Sequence, residues 1–161
     1  MSATLIREIG DDDVAWILAL SALNEVATSP LDGPGLRLML GDAFHARAIG
    51  PGDGYMIPFD QTSAYTSVNY HWFRKGYLRF IYVDRIVIAD HARGRGHARA
   101  LYEDLFAAAR RAGHGVVACE VNVDPPNPAS DAFHASLGFD EVGRATLANG
   151  KTVRYLTKVL T

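Results

Sequence analysis

Three patterns dominate the middle of the chain. An apolar run spans Phe80 to Ala89, apolar residues then recur at helical spacing through Ala98, Leu101, Leu105, Ala108 and Ala112, and a second apolar run spans Val116 to Val121. They predict a strand, an amphipathic helix closed by Gly113 beside Arg110 and Arg111, and a buried strand. Earlier in the chain, Thr4 to Ile9 reads as a first strand. Asp11, Asp12 and Asp13 supply caps and favourable charge for a helix through about Val26, with Trp16, Leu20, Leu23 and Ala27 on one edge of its apolar face. A loop from Ser29 to Gly35 leads to a short helix over Leu36 to about Ala43 and a strand near Phe44 to Ile49. The turn Gly50 to Gly54 makes that strand a hairpin with Tyr55 to Phe59, where Pro58 argues for an edge or a strand end.

Residues 60–79 show no clean period, because Tyr65, Tyr70, Trp72, Phe73 and Tyr77 are interleaved with Ser63, Ser67, Asn69 and His71, so the expectation is a structured insertion or long loop. Pro125, Pro126 and Pro128 force an extended segment before a short helix over Ala129 to Leu137, stopped by Gly138. Phe139 to Leu147 and Thr152 to Leu160, joined at Ala148 to Lys151, read as a closing hairpin.

Composition narrows the function classes. With 161 residues, 48% of them hydrophobic, the chain is sized for one domain over residues 1–161 with a substantial core. A formal net charge of −2 gives no general attraction to nucleic acid or an anionic membrane, so any affinity for phosphate must be local. Cys119 is the only cysteine and cannot form an internal disulfide, and the first residues lack the apolar run of a signal peptide, so a cytoplasmic location is expected. The six histidines show no metal-ligand spacing, and no metal is expected.

Between the strand over Phe80 to Ala89 and the helix that follows it lies Arg93-Gly94-Arg95-Gly96-His97-Ala98. A strand, a glycine turn and a helix N-terminus together suit a phosphate, because unpaired N–H groups point outward and glycine lets a ligand approach the backbone. The turn alone also fits the start of a dinucleotide fingerprint, with Glu120 where a ribose-binding acid would sit, but Arg99 occupies the third glycine position and the chain has too few βα units. Arg-x-x-Gly-x-Ala over Arg93 to Ala98 resembles the coenzyme A pyrophosphate signature of the GNAT superfamily, the acyl-CoA-dependent N-acyltransferases. A second segment extends the resemblance: Cys119-Glu120-Val121-Asn122, then Asn127-Pro128 through Phe133-His134 to Leu137-Gly138-Phe139, is similar to the fifth strand, Asn-led helix and Gly-Phe ending of those proteins.

The resemblance implies an α/β (α+β type) fold, a mixed, mainly antiparallel sheet of six or seven strands flanked by about four helices, with the cofactor between the fourth and fifth strands. It implies acetyl-CoA as cosubstrate and direct transfer to a primary amine of a small molecule or peptide. Backbone groups of Val87, Ile88 and Ala89 would face the thioester, while Arg93, Gly94, Arg95, Gly96, His97 and Ala98 would cradle the pyrophosphate. Glu120 corresponds to the family's proposed base, with a strand-end salt bridge as its structural alternative and Asp84 as the rival base. His134 stands where a general-acid Tyr is usual, and Asn127 either bonds the pantetheine arm or caps the following helix. An attacking alkyl amine, with a reference pKa near about 10.4, needs such a base at neutral pH. Tyr65, Asn69 and Tyr70 are expected to bind the acceptor, the alternatives being a core plug or a homodimer contact. A non-catalytic acyl-CoA-binding module is the competing class, and neither nucleic acid nor membrane is expected as a partner.

Overall fold

Glycine turns and short polar caps divide the chain into alternating strands and helices, and the computed structural model describes them over residues 5–24 and 30–161. In order they are β1 (Ile6–Glu8), α1 (Val14–Ala22), α2 (Gly33–Asp42), β2 (Arg47–Ile49), β3 (Gly54–Asp60), α3 (Val68–Gly76), β4 (Ile81–Ile88), α4 (His97–Arg111), β5 (Val116–Asp124), α5 (Pro128–Ser136), β6 (Asp140–Thr146) and β7 (Thr152–Val159). One seven-stranded sheet runs in the order β1-β2-β3-β4-β5-β7-β6, with every neighbouring pair antiparallel except β4 and β5. That topology is the mixed, mainly antiparallel one expected and excludes a doubly wound dinucleotide fold.

The sheet separates two apolar layers. On one face Ile17 and Leu20 of α1, Leu36 and Met39 of α2, and Tyr70 and Phe73 of α3 pack against Tyr55, Ile57, Phe59 and Tyr82. On the other, Leu101, Tyr102, Leu105 and Phe106 of α4 meet Met56, Ile81, Val83, Val117 and Cys119, with Phe133 of α5 at their edge.

Several expectations need correction. The sheet carries five α-helices among the described residues, and one of them, α3, forms over residues 68–76, where a structured insertion or long loop was expected. Ser67 caps it, its hydroxyl accepting from Tyr70 N, Arg74 and Lys75 sit in its last turn, and Tyr70 and Phe73 form its buried stripe. Leu23 is 83% exposed, while Ile17 joins Leu20 on the buried face of α1. Thr4, Val26, Ala27 and Ser29 lie outside the described residues. Pro58 sits inside β3, not at an edge or an end. It is accommodated because the β3–β4 register shifts between Ile57 and Pro58 and because β2 pairs with β3 only as far as Met56.

That register shift leaves one residue of β4 without a partner position on β3. Ile57 lies opposite Arg85 and Pro58 opposite Val83, so Asp84 is the extra residue of a β-bulge in β4. Bulges bend a strand and increase its twist. The parallel pairing of β4 with β5 holds Ile81 opposite Val117 and Tyr82 opposite Ala118, and it ends two residues before Asp84. Beyond that point the strands diverge and a cleft opens through the sheet.

Candidate active site

The cleft is lined by Asp84 and Ile86 of β4, Glu120 and Asn122 of β5, Tyr65, Ser67 and Asn69 around the start of α3, and Tyr102, Asn127 and His134 from the α4 and α5 side. Leu147, Asn149 and Lys151 of the β6–β7 turn line its edge.

Glu120 is half-buried in this cleft on the side of α3. The Tyr82 hydroxyl donates to its carboxylate, 2.8 and 2.9 Å from the two oxygens, and Asn69 Nδ2 donates to Oε1 at 3.0 Å. Asn69 is itself held, its Oδ1 accepting from the Tyr155 hydroxyl at 2.9 Å. Burial, and then the negative charge of Asp84, pushes the Glu120 carboxyl up to about 8, while the two donors oppose that shift. A carboxyl tuned toward neutrality can accept a proton from an amine and release it again.

Asp84 is held differently. Arg85 Nε donates to Oδ2 at 2.8 Å and the Tyr65 hydroxyl donates to Oδ1 at 2.7 Å. The bulge sets Asp84 and Arg85 on the same face of the sheet, and Arg85 Nη1 reaches Ser21 Oγ of α1 at 3.3 Å. Tyr65 stacks on Phe59 with ring centroids 4.4 Å apart, so its ring walls the cleft while its hydroxyl serves Asp84. Tyr70, expected at the acceptor site, lies instead in the core: it is 0% exposed and its hydroxyl donates to the Asp60 carbonyl at 2.6 Å. The cause is helical geometry, since α3 turns Tyr70 and Phe73 inward and Asn69 toward Glu120.

On β4 the three backbone donors named from sequence separate. Ala89 N–H donates to the Asp53 carbonyl at 2.8 Å and is engaged on the β3 side. Antiparallel ladders alternate, so Val87, paired with Tyr55, also directs its N–H to β3, whereas Ile88 and Ile86 direct theirs toward β5. Ile88 therefore remains as a donor facing the gap, and Ile86 joins it.

The turn between β4 and α4 fits a pyrophosphate. Gly94 and Gly96 have φ of 78° and 79°, the left-handed region, and a Cβ at either would meet no described atom within 4 Å. Gly96 is the N-cap of the 15-residue α4 and provides no side-chain cap, leaving the first-turn N–H groups of His97, Ala98 and Arg99 for an anion. Arg95 is exposed beside them, and Arg93 is exposed with its Nε 3.3 Å from Asp90 Oδ1. The His97 side chain turns away, its Nε2 3.3 Å from Asp53 Oδ2, so its backbone alone faces this turn. Asn127 caps α5, its Oδ1 accepting from Ser130 N at 3.3 Å, and it also lines the cleft.

His134 is 5% exposed. Its Nε2 is 2.8 Å from the Tyr102 hydroxyl and its Nδ1 is 2.7 Å from the Ser130 carbonyl. Burial lowers its pKa below the ordinary histidine value. Tyr82, Tyr102, Tyr155 and Ile86 did not emerge from the sequence as site residues. One signal was available for Tyr102: it adjoins Leu101 on the buried helix face, and a buried phenol needs a hydrogen-bond partner. Among the described residues, no group of three or more His, Cys, Asp or Glu could hold a metal ion, and no helix is long and apolar enough to cross a membrane.

Comparison with known proteins supplies independent findings. Among solved structures, Ard1 from Thermoplasma volcanium aligns with a TM-score of 0.78 at 14% identity, covering 99% of both chains. The ribosomal-protein-S18-alanine N-acetyltransferase from Escherichia coli aligns at 0.71 with 15% identity, over 99% of this chain and 95% of that one. The yncA protein of Salmonella typhimurium, solved with its cofactor acetyl-CoA, aligns at 0.68 with 18% identity over the same shares. No curated protein matches the sequence significantly. At these identities the structures establish the fold, and the sequence itself matches the family model of the acetyltransferase (GNAT) family over residues 38–139. The chain belongs to the GNAT family of acetyltransferases, and it is an acyltransferase.

Proposed function

We propose that this protein transfers an acetyl group from acetyl-CoA to a primary amine of a small molecule or peptide by direct attack. The observation that carries the reading is the divergence of β4 from β5 beyond Tyr82, which opens a gap with Glu120 on one face and the glycine turn of α4 at its end. Acetyl-CoA supplies an activated acyl thioester. Gly94, Gly96 and the α4 N-terminus would hold its pyrophosphate, and the N–H of Ile88 would donate to the thioester oxygen.

An amine entering from the side of α1 to α3 meets Glu120, whose carboxyl, raised to about 8, is matched to removing its proton. The Tyr65 ring and Ser67 line that entrance, and Asn69 reaches it by holding Glu120. Direct attack is favoured over an acyl-enzyme because Cys119 is 3% exposed, and burial, then the charge of Glu120, pushes its thiol well above the ordinary range. A peptide acceptor stands beside a small amine because the similar Escherichia coli protein is named for an alanine of ribosomal protein S18.

The test is an acceptor panel of small primary amines and peptides with free α-amino groups, incubated with acetyl-CoA and read by thiol release and product mass. Amine-dependent thiol release with a matching acetylated product is expected. Saturable coenzyme A binding with no product across a broad panel would overturn the reading.

A further inference from the structure

We infer that Tyr102, rather than His134, provides the proton taken up by the departing coenzyme A sulfur, with His134 as the residue that positions the phenol; this rests on the acetyl transfer proposed above. The argument starts from hydrogens. A carbonyl oxygen only accepts, so the 2.7 Å contact between His134 Nδ1 and the Ser130 carbonyl places the imidazole hydrogen on Nδ1. In the neutral ring Nε2 is then an acceptor, and the Tyr102 hydroxyl 2.8 Å away donates to it. Burial disfavours a second proton on the ring. His134 thus has no hydrogen to give into the cleft, and Tyr102 has one.

Tyr102 lines the cleft from α4, on the face of the sheet opposite Glu120 and Asn69. The phenol is fixed by edge contacts of its ring with His134 and Phe139, at centroid distances of 5.4 and 5.6 Å. Groups facing the pair are Cys119 and Glu120 from β5 and Ser130 and Asp131 from α5. Burial, then Cys119, holds the phenol well above its ordinary pKa, so it stays protonated across the working range.

The step balances. The amine lone pair forms the C–N bond, and the C–S bond breaks with its electron pair going to sulfur. Glu120 takes the proton from nitrogen. The Tyr102 O–H turns from neutral Nε2 to the sulfur, a stronger acceptor because it carries charge, and its proton moves there. Exchange through water then moves the Glu120 proton outward and restores the phenol.

The test pairs Tyr102→Phe with His134→Phe and uses two readouts: the pH dependence of single-turnover transfer, and the ionisation of the coenzyme A thiol bound to the protein, followed by thiolate absorbance. Tyr102→Phe should lower the rate about 10²- to 10⁴-fold and move the bound thiol's titration to higher pH. His134→Phe should be less damaging, and the wild-type rate should show no alkaline fall up to about pH 10, because the phenol is held above the ordinary tyrosine value. Nitrogen NMR of the wild-type protein, which needs no variant to fold, should show neutral His134 with its hydrogen on Nδ1. The proposal is overturned by a Tyr102→Phe enzyme with unchanged rate and thiol titration, by a wild-type rate that falls on the alkaline side below about pH 10, as a histidine acid would require, or by a hydrogen on Nε2. Failure of the wild-type protein to bind coenzyme A would overturn the acetyl-transfer reading and this proposal with it, whereas the outcomes just named overturn the proposal alone.

Discussion

Two carboxylates face the same gap, Asp84 from β4 and Glu120 from β5, and their neighbours differ in kind. Asp84 meets a guanidinium and a phenol, Arg85 and Tyr65, and its side chain is 7% exposed. Among the described residues Glu120 meets only the neutral donors Tyr82 and Asn69, and its carboxyl rises to about 8. The contrast teaches that residue type does not assign the base; the charge of the partner does. A carboxylate paired with a cation holds its structure together, whereas one supported by neutral donors in a buried site can exchange a proton. Glu120 is therefore our candidate for the base, and Asp84 for a fixed element of the wall.

Removing the base should have the largest effect. Glu120→Gln should lower the rate about 10²- to 10⁴-fold with little change in coenzyme A affinity, and it should abolish the rise in rate that the wild type shows as pH passes about 8. A Gln variant that keeps both rate and pH limb would move the role elsewhere. The matching substitution at Asp84 should act on stability. Asp84→Asn leaves the Arg85 guanidinium, 3% exposed, beside a neutral partner, and breaking such a buried pair costs about 3–5 kcal/mol, measured by urea unfolding. If Asp84→Asn instead matched the activity loss of Glu120→Gln without losing stability, the two roles would be exchanged.

A smaller effect separates the pair through pH and folding. Glu120 has a folded pKa of about 8 against about 4.3 unfolded, so the folded chain binds more protons between those values. Its contribution to stability is complete below about pH 4.3 and is lost as pH rises through about 8. Unfolding curves across that window should show wild-type stability falling more steeply than that of Glu120→Gln; parallel slopes would mean that Glu120 titrates normally. The smallest effect belongs to Asn69. Asn69→Leu removes a donor that favours the ionised carboxylate, so the acid limb of the rate profile should move up by about one pH unit. A raised acceptor KM with an unmoved limb would make Asn69 a direct substrate contact.

Much of this architecture was readable from hydrophobic pattern and punctuation. The strand over Phe80 to Ala89, the helix after Gly96 and the strand from Val116 stand within a few residues of β4, α4 and β5 because apolar period and glycine positions are local properties. The helix at residues 68–76 was hidden because its buried stripe is short, Tyr70 and Phe73 alone, flanked by Asn69, which faces Glu120, and by exposed Arg74 and Lys75. Partnerships across the sheet were not legible. Tyr82 reaches Glu120 across 38 positions and Tyr155 reaches Asn69 across 86, contacts that depend on the register of strands far apart in the chain. The same is true of Ala89, whose N–H is engaged by Asp53, a fact set by the β3–β4 ladder and invisible in the residue itself. His134 was visible as a position, but the direction of its hydrogens required Ser130 and Tyr102 to be in place.

The bulge at Asp84 gives β4 an unequal tolerance to change. With Asp84 counted as the extra residue, Tyr82, Val83, Arg85 and Ile86 follow the regular inward and outward order opposite β3, so the ladder would close without it. One added residue therefore does two jobs: it bends the strand where the sheet parts from β5, and it carries the carboxylate that neutralises Arg85. Along the rest of the strand a substitution alters one side chain, but here the number of residues is the functional quantity. In this part of the protein, chain length shapes the candidate active site as directly as residue identity does.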